Sequence, residues 1–171
     1  MVRVVGPGGQ GRTRPKPRIP GTMKILSSAR IAVIDANFPR RAAMCAALTE
    51  LGMLRIQPAG SLDEACDLGA GVPFELCVIN VSGQPGASPM TLPIYSFDSH
   101  VTPAILIADN NSRDMVRAGT ACGYSVVLAS PAAPRLIYRR IGSILQRVRR
   151  QGRRAPKLAP AIDSPVALQD A

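Results

Sequence analysis

"FELCVINVSG", residues 74–83, is the stretch on which the fold turns. Leu76-Cys77-Val78-Ile79 runs without a polar residue at every second place, and then stops at Asn80. A strand with one wet face alternates apolar and polar side chains, so an unbroken run predicts a strand covered on both faces. It ends on a carboxamide, at the end where a parallel sheet places its functional crevice.

Working outward, the same kind of run recurs at "RIAVI" (30–34), "AILIA" (104–108) and "SVVLA" (125–129). A weaker strand is expected at "LRIQ" (54–57), with Leu54 and Ile56 on one side. Helical patterns stand between them. Asn37 can cap a helix with Pro39 in its first turn, Met44, Ala47, Leu48 and Leu51 form its apolar stripe, and Gly52 ends it. Ser61-Leu62-Asp63-Glu64 reads as a capping box opening a short helix to about Gly69. Ser112 caps another to about Cys122, with Gly123 beyond it. Pro134 begins the last and best helix, with Ile137, Ile141, Ile144, Leu145 and Val148 on one face and Arg139, Ser143, Gln146, Arg147 and Arg150 mostly opposite. Residues 83–103 hold four prolines and weak periodicity, which predicts a loop with at most a poor helix. Five strands alternating with helices make an α/β fold, a parallel sheet wrapped on both faces.

The 171 residues carry a formal charge of +10, but not evenly. Residues 1–22 hold five basic side chains and no acid, residues 23–133 seven basic and nine acidic, and residues 134–171 nine basic and two acidic. Basicity therefore belongs to the ends, which argues against the fold itself reading nucleic acid. The chain divides into a disordered basic Gly/Pro-rich leader (1–28), one domain (29–150) and a disordered Pro/Ala-rich tail (151–171). Met23 is the expected natural start, the preceding 22 residues being an extension. Cys45, Cys66, Cys77 and Cys122 lack metal spacing and are expected to be reduced, mostly buried hydrophobes in a cytoplasmic protein. His100 has no cysteine near it, and no run reaches the length of a membrane span.

The order of these motifs resembles the receiver domain of bacterial two-component response regulators, the CheY-like family. "IAVIDAN" stands where that family has an acidic pair after strand one, and "FELCVIN" where its third strand ends in aspartate. "TPAILIAD" and "GYSVVLASPAAPRLIYRRI" match its fourth strand, its fifth strand and its last helix. The resemblance implies a flavodoxin-like (βα)5 fold with strand order 2-1-3-4-5. It also implies phosphoryl transfer to the aspartate ending strand three, with Mg²⁺ held by that aspartate and the acidic pair. Position by position this chemistry is missing. The phosphoacceptor position is Asn80, the acidic pair is Asp35-Ala36, the Thr/Ser position is Ala108, and the Lys-Pro step, usually cis in the family, is Ser130-Pro131. The switch aromatic of strand five falls at Val127.

These substitutions predict a pseudo-receiver: no enzyme, no cofactor, and Mg²⁺ binding lost or weak, with Asp35 at most a residual ligand. An amide at position 80 relieves the repulsion that a second carboxylate beside Asp35 would meet. Asp35 is expected to bond to nearby backbone or hydroxyl groups, and Asp109 to serve a turn or cap in "DNNS". No nucleophile–base pair or phosphate loop can be assembled, and "GPGGQG" has no strand before it. The expected function is a phosphorylation-independent module that binds a protein partner in two-component or phosphorelay-type signalling. Arg135, Arg139, Arg140, Arg147 and Arg150 are the candidate partner-binding residues, and a homodimer through the fourth and fifth helices is a possible form. The alternative is a nucleic-acid-associated regulator using the basic last helix and tail. No membrane partner is expected.

Overall fold

The computed structural model describes residues 25–85 and 102–154. The elements run β1 (Arg30–Asp35), α1 (Phe38–Glu50), β2 (Arg55–Ala59), α2 (Leu62–Gly69), β3 (Leu76–Asn80), β4 (Ala104–Ala108), α3 (Arg113–Ala121), β5 (Val126–Ala129) and α4 (Pro134–Arg154). The strands form one five-stranded sheet in the order β2-β1-β3-β4-β5, every pair parallel. This is the α/β, flavodoxin-like arrangement that the motifs imply. The expected leader (through residue 24), the tail from residue 155, and most of the 83–103 segment with His100 lie outside the described residues.

Alternate residues of each strand enter opposite layers. Ile31, Val33, Leu76, Val78, Ile105, Ile107 and Leu128 pack with Leu48 of α1 and with Ile137, Ile141, Ile144 and Leu145 of α4. Ala32, Ile34, Cys77, Ile79, Ala104, Leu106 and Ala108 pack on the other side with Ala65 of α2 and Met115 of α3. Both layers being filled is why the strand sequences do not alternate. β2 is an edge strand, which is where Pro58 is tolerated.

The helix starts follow local chemistry. The side chains of Asn37, Ser61 and Ser112 accept from the N–H groups of Arg40, Glu64 and Met115. In the capping box Glu64 reaches back to the N–H of Gly60, one residue before the cap, at 2.6 Å. Gly52 and Gly123, with φ of 98° and 91°, adopt the left-handed conformation just after α1 and α3.

Some expectations are corrected. The ordered domain begins before residue 29: residues 25–28 form a helical turn, and Leu26 joins the core because its side chain closes the layer under α1 and α4. Likewise α4 continues to Arg154, past the expected boundary at 150. Leu54 is 74% exposed because β2 starts one residue later, and Val148 is 43% exposed on the far part of α4. Of the four cysteines only Cys77 is buried, and Cys66, on α2, is exposed.

The layer under α3 includes several alanines, and α3 comes close to β5 at Gly119. A Cβ at position 119 would stand 2.6 Å from Val127 Cγ2, a β-branched group with little room to turn. Gly119→Ala gains about 1 kcal/mol of helix propensity but meets an overpacking cost of roughly 1–3 kcal/mol. The expected result is a net loss of about 1 kcal/mol in urea denaturation. Val127→Ala should be less damaging in the Gly119→Ala background than alone. Additive losses in that cycle would show that the close approach does not limit α3 packing.

Candidate functional site

The strand order reverses between β1 and β3, and the register places Asp35 directly opposite Asn80 at their carboxyl ends. Both are buried, at 2% and 8% exposure. Asn80 Nδ2 donates to Asp35 Oδ2 at 2.9 Å, while Asn80 Oδ1 accepts from Ser82 N at 3.0 Å and from Ser82 Oγ at 2.7 Å. The reverse amide orientation would set oxygen against carboxylate and NH₂ against N–H, so the network fixes one orientation. The expected relief of charge repulsion by an amide is present here as a hydrogen bond.

The main partner of Asp35 is Arg40, which the sequence did not single out. Arg40 Nε donates to Asp35 Oδ2 at 2.6 Å and Arg40 Nη2 to Oδ1 at 2.8 Å, a two-pronged fork. Nη2 also donates to the Ser82 carbonyl at 3.0 Å. Asn37 N–H completes the carboxylate's shell at 2.9 Å, and Arg41 Nη1 donates to the Asp35 main-chain oxygen. Asp35 is thus held by a guanidinium, an amide and one backbone group, where only backbone or hydroxyl partners were expected. The reason is burial: a fully desolvated carboxylate needs an opposite charge. The Arg40 guanidinium is held above its ordinary range by its hydrogen bonds to Asp35, with the Asp35 and Asp109 charges adding to this and burial opposing it.

One signal could have revealed Arg40. Arg40 and Arg41 stand in the first turn of α1, which has no acid. A positive charge there opposes the helix dipole by about 0.3–1 kcal/mol, so a compensating carboxylate outside the helix was to be sought.

The remaining predicted site residues gather at the same end. Ala36 is exposed beside Asp35, Ala108 is buried, Ser130 N–H donates to the Ala108 carbonyl at 2.7 Å, and the Ser130–Pro131 peptide is cis. Asp109 makes no local cap. Its Oδ1 accepts at 2.9 Å from the N–H of Gly83, in the segment after β3. Two clefts flank the Asp35–Asn80 pair. One, of about 180 Å³, is lined by Arg40, Met44, Asn80, Ile107, Ser130 and Pro131. The other, of about 430 Å³, includes Asp35, Ala36, Ser61, Leu62, Asn80 and Gln84.

Arg135, Arg139, Arg140, Arg147 and Arg150 are all exposed along α4, and none of them lines either cleft. Arg149, also on α4, pairs with Glu75 at 3.1 Å in a half-exposed contact, of a kind worth about 0–1 kcal/mol.

The Mg²⁺ that the resemblance implies does not fit these residues. Both oxygens of Asp35 are saturated by donors, both acceptor sites of Asn80 Oδ1 are taken by Ser82, and Ala36 and Ala108 offer no side-chain oxygen.

No protein-family model and no curated protein matches the sequence. Solved structures do match the fold. A CheY-like response regulator receiver domain protein from Methanospirillum hungatei JF-1 aligns with TM-score 0.54 at 15% identity, covering 72% of this chain and 98% of that one. A two-component response regulator from Clostridium difficile aligns with TM-score 0.55 at 16% identity, covering 71% and 98%. The receiver domain of the Francisella response regulator 1452 gives 0.55 at 17%, covering 71% and 99%. The fold is therefore that of receiver domains, and it spans nearly their whole length.

Removing Arg40 strands a buried carboxylate, so Arg40→Ala is expected to lower stability by about 3 kcal/mol. That is the lower end for breaking a buried pair, since Arg40 itself is 35% exposed. Arg140→Ala, on the exposed face of α4, should change stability by less than about 0.5 kcal/mol. Equal effects of the two variants in urea denaturation would mean that the fork carries no weight.

Proposed function

We propose that this chain is a receiver-like regulatory module of two-component-type signalling that works by binding a protein partner, without phosphorylation, metal or catalysis, in the cytoplasm. The observation that carries this reading is the state of Asn80. It occupies the end of the central strand of a receiver fold, where a phosphoacceptor would be a carboxylate, and each polar atom of its amide is engaged. A carboxamide does not form an acyl phosphate. Of the groups that the resemblance implies for phosphoryl binding, Ala36 stands in place of the second acid, Ala108 in place of the hydroxyl and Ser130 in place of the cation.

A second reading is favoured by one feature, the arginine face of α4. The 21 residues of this helix hold eight arginines and no acid. Clustered guanidinium groups bind phosphates with little other equipment. Tyr138 is the helix's only ring, so base stacking would contribute little. On this reading the fold carries a basic element for nucleic acid. No helix among the described residues is long and apolar enough to cross a membrane.

The full chain, incubated with Mg²⁺ and a small phosphodonor, should gain no phosphoryl mass. A stoichiometric, base-labile adduct at the end of β3 would end the phosphorylation-independent reading. Affinity capture with the full chain, with and without nuclease, separates the two binding classes. One discrete protein partner retained after nuclease is the expected outcome. Loss of all captured material with nuclease, together with binding that falls steeply with salt, would transfer the function to α4 and nucleic acid.

A further inference from the structure

Three oxygen atoms from two separate segments converge on one positive group. Asp35 Oδ1 and Oδ2, at the end of β1, lie 2.8 and 2.6 Å from Arg40 nitrogens, and the Ser82 carbonyl, after β3, lies 3.0 Å from one of the same nitrogens. A carboxylate and a backbone carbonyl are hard oxygen donors, the set that a divalent cation such as Mg²⁺ or Mn²⁺ takes. Here they hold a guanidinium instead, delivered on the first turn of α1 and thus fixed to the chain.

We propose that Arg40 is a tethered cation occupying a latent divalent-cation site formed by Asp35 and the Ser82 carbonyl. The guanidinium neutralises the buried carboxylate, ties the segment after β3 to β1, and keeps metal ions out. Three features fit this assignment. The fork uses both carboxylate oxygens, so no oxygen of Asp35 is left for a metal while Arg40 is in place. Asp35 is buried and Arg40 is only partly exposed, so the charge has been brought inward to meet the carboxylate. Arg40 also feels the charge of Asp109, which bonds Gly83 N–H in the same segment as Ser82, so the local field around the group favours a cation. This assignment agrees with the reading of Asn80 but does not depend on it.

The test uses the full chain and Mn²⁺ as the probe, followed by electron paramagnetic resonance and by thermal melting. Wild type should show no saturable Mn²⁺ binding and a melting midpoint indifferent to the metal. Arg40→Met keeps the aliphatic stem and removes the charge. It should melt lower, bind Mn²⁺ saturably, and recover its midpoint in proportion to the logarithm of metal concentration. Adding Asp35→Asn to Arg40→Met should abolish that response. If Arg40→Met is too unstable to purify, refolding from urea with and without Mn²⁺ gives the same decision: recovery only with metal supports the assignment, and equal failure overturns it. A folded Arg40→Met that ignores Mn²⁺ would also overturn it, as would saturable Mn²⁺ binding by wild type that Asp35→Asn removes. Because no phosphodonor or partner enters, failure here leaves the signalling reading standing, and failure of that reading leaves this one.

Discussion

A carboxylate buried at the end of a central strand is the constraint from which this structure's functional end follows. Asp35, at 2% exposure, must find compensation without water, since an isolated ionised group in the interior is far costlier than any single contact returns. The chain meets this with the guanidinium of Arg40, the amide of Asn80 and the N–H of Asn37. Each comes from a different local structure: a helix's first turn, a neighbouring strand, and the loop between. The pair therefore fixes how α1 leaves β1, and through Ser82 how the chain leaves β3.

That end of the molecule is held by hydrogen bonding while the rest is held by packing. The sheet's two faces differ. One carries branched side chains against α1 and α4, and the other carries many alanines, so α3 approaches until Gly119 meets Val127. Valine at 127 is stiff and lies against α3, whereas a larger ring there would need space that this layer lacks.

What the sequence disclosed and what it hid follow from the range of the forces involved. The strands at 30–35, 76–80 and 104–108 were legible because burial on both faces leaves a continuous apolar run. The caps at Asn37, Ser61 and Ser112 were legible because a cap and its N–H lie three residues apart. Arg40 was not, because its bond to Ser82 spans 42 residues and its fork to Asp35 depends on where α1 sets down. Asp109 was misread for the same reason, its partner Gly83 lying on another loop. Leu54 and Val148 fit the apolar periods of their segments yet lie beyond the surface those periods face. Periodicity predicts a face and says nothing of where its partner stops.

Arginine and asparagine at these positions are best understood together. One guanidinium supplies one positive charge, which a single carboxylate balances. A second carboxylate at position 80 would face Asp35 across the β1–β3 register with only that one charge between them, and one of the two would be driven toward its protonated form. The carboxamide avoids this and also donates to Asp35, which a carboxylate cannot do while ionised. The arrangement is self-contained: the Asp35 carboxylate meets the Arg40 guanidinium, and each of its oxygens is matched by donors from the chain. On the reading proposed above, such a module has no phosphoryl input that shifts it between two states. On that reading a change of state comes from a partner that binds one arrangement better than the other, by its differential affinity for the two.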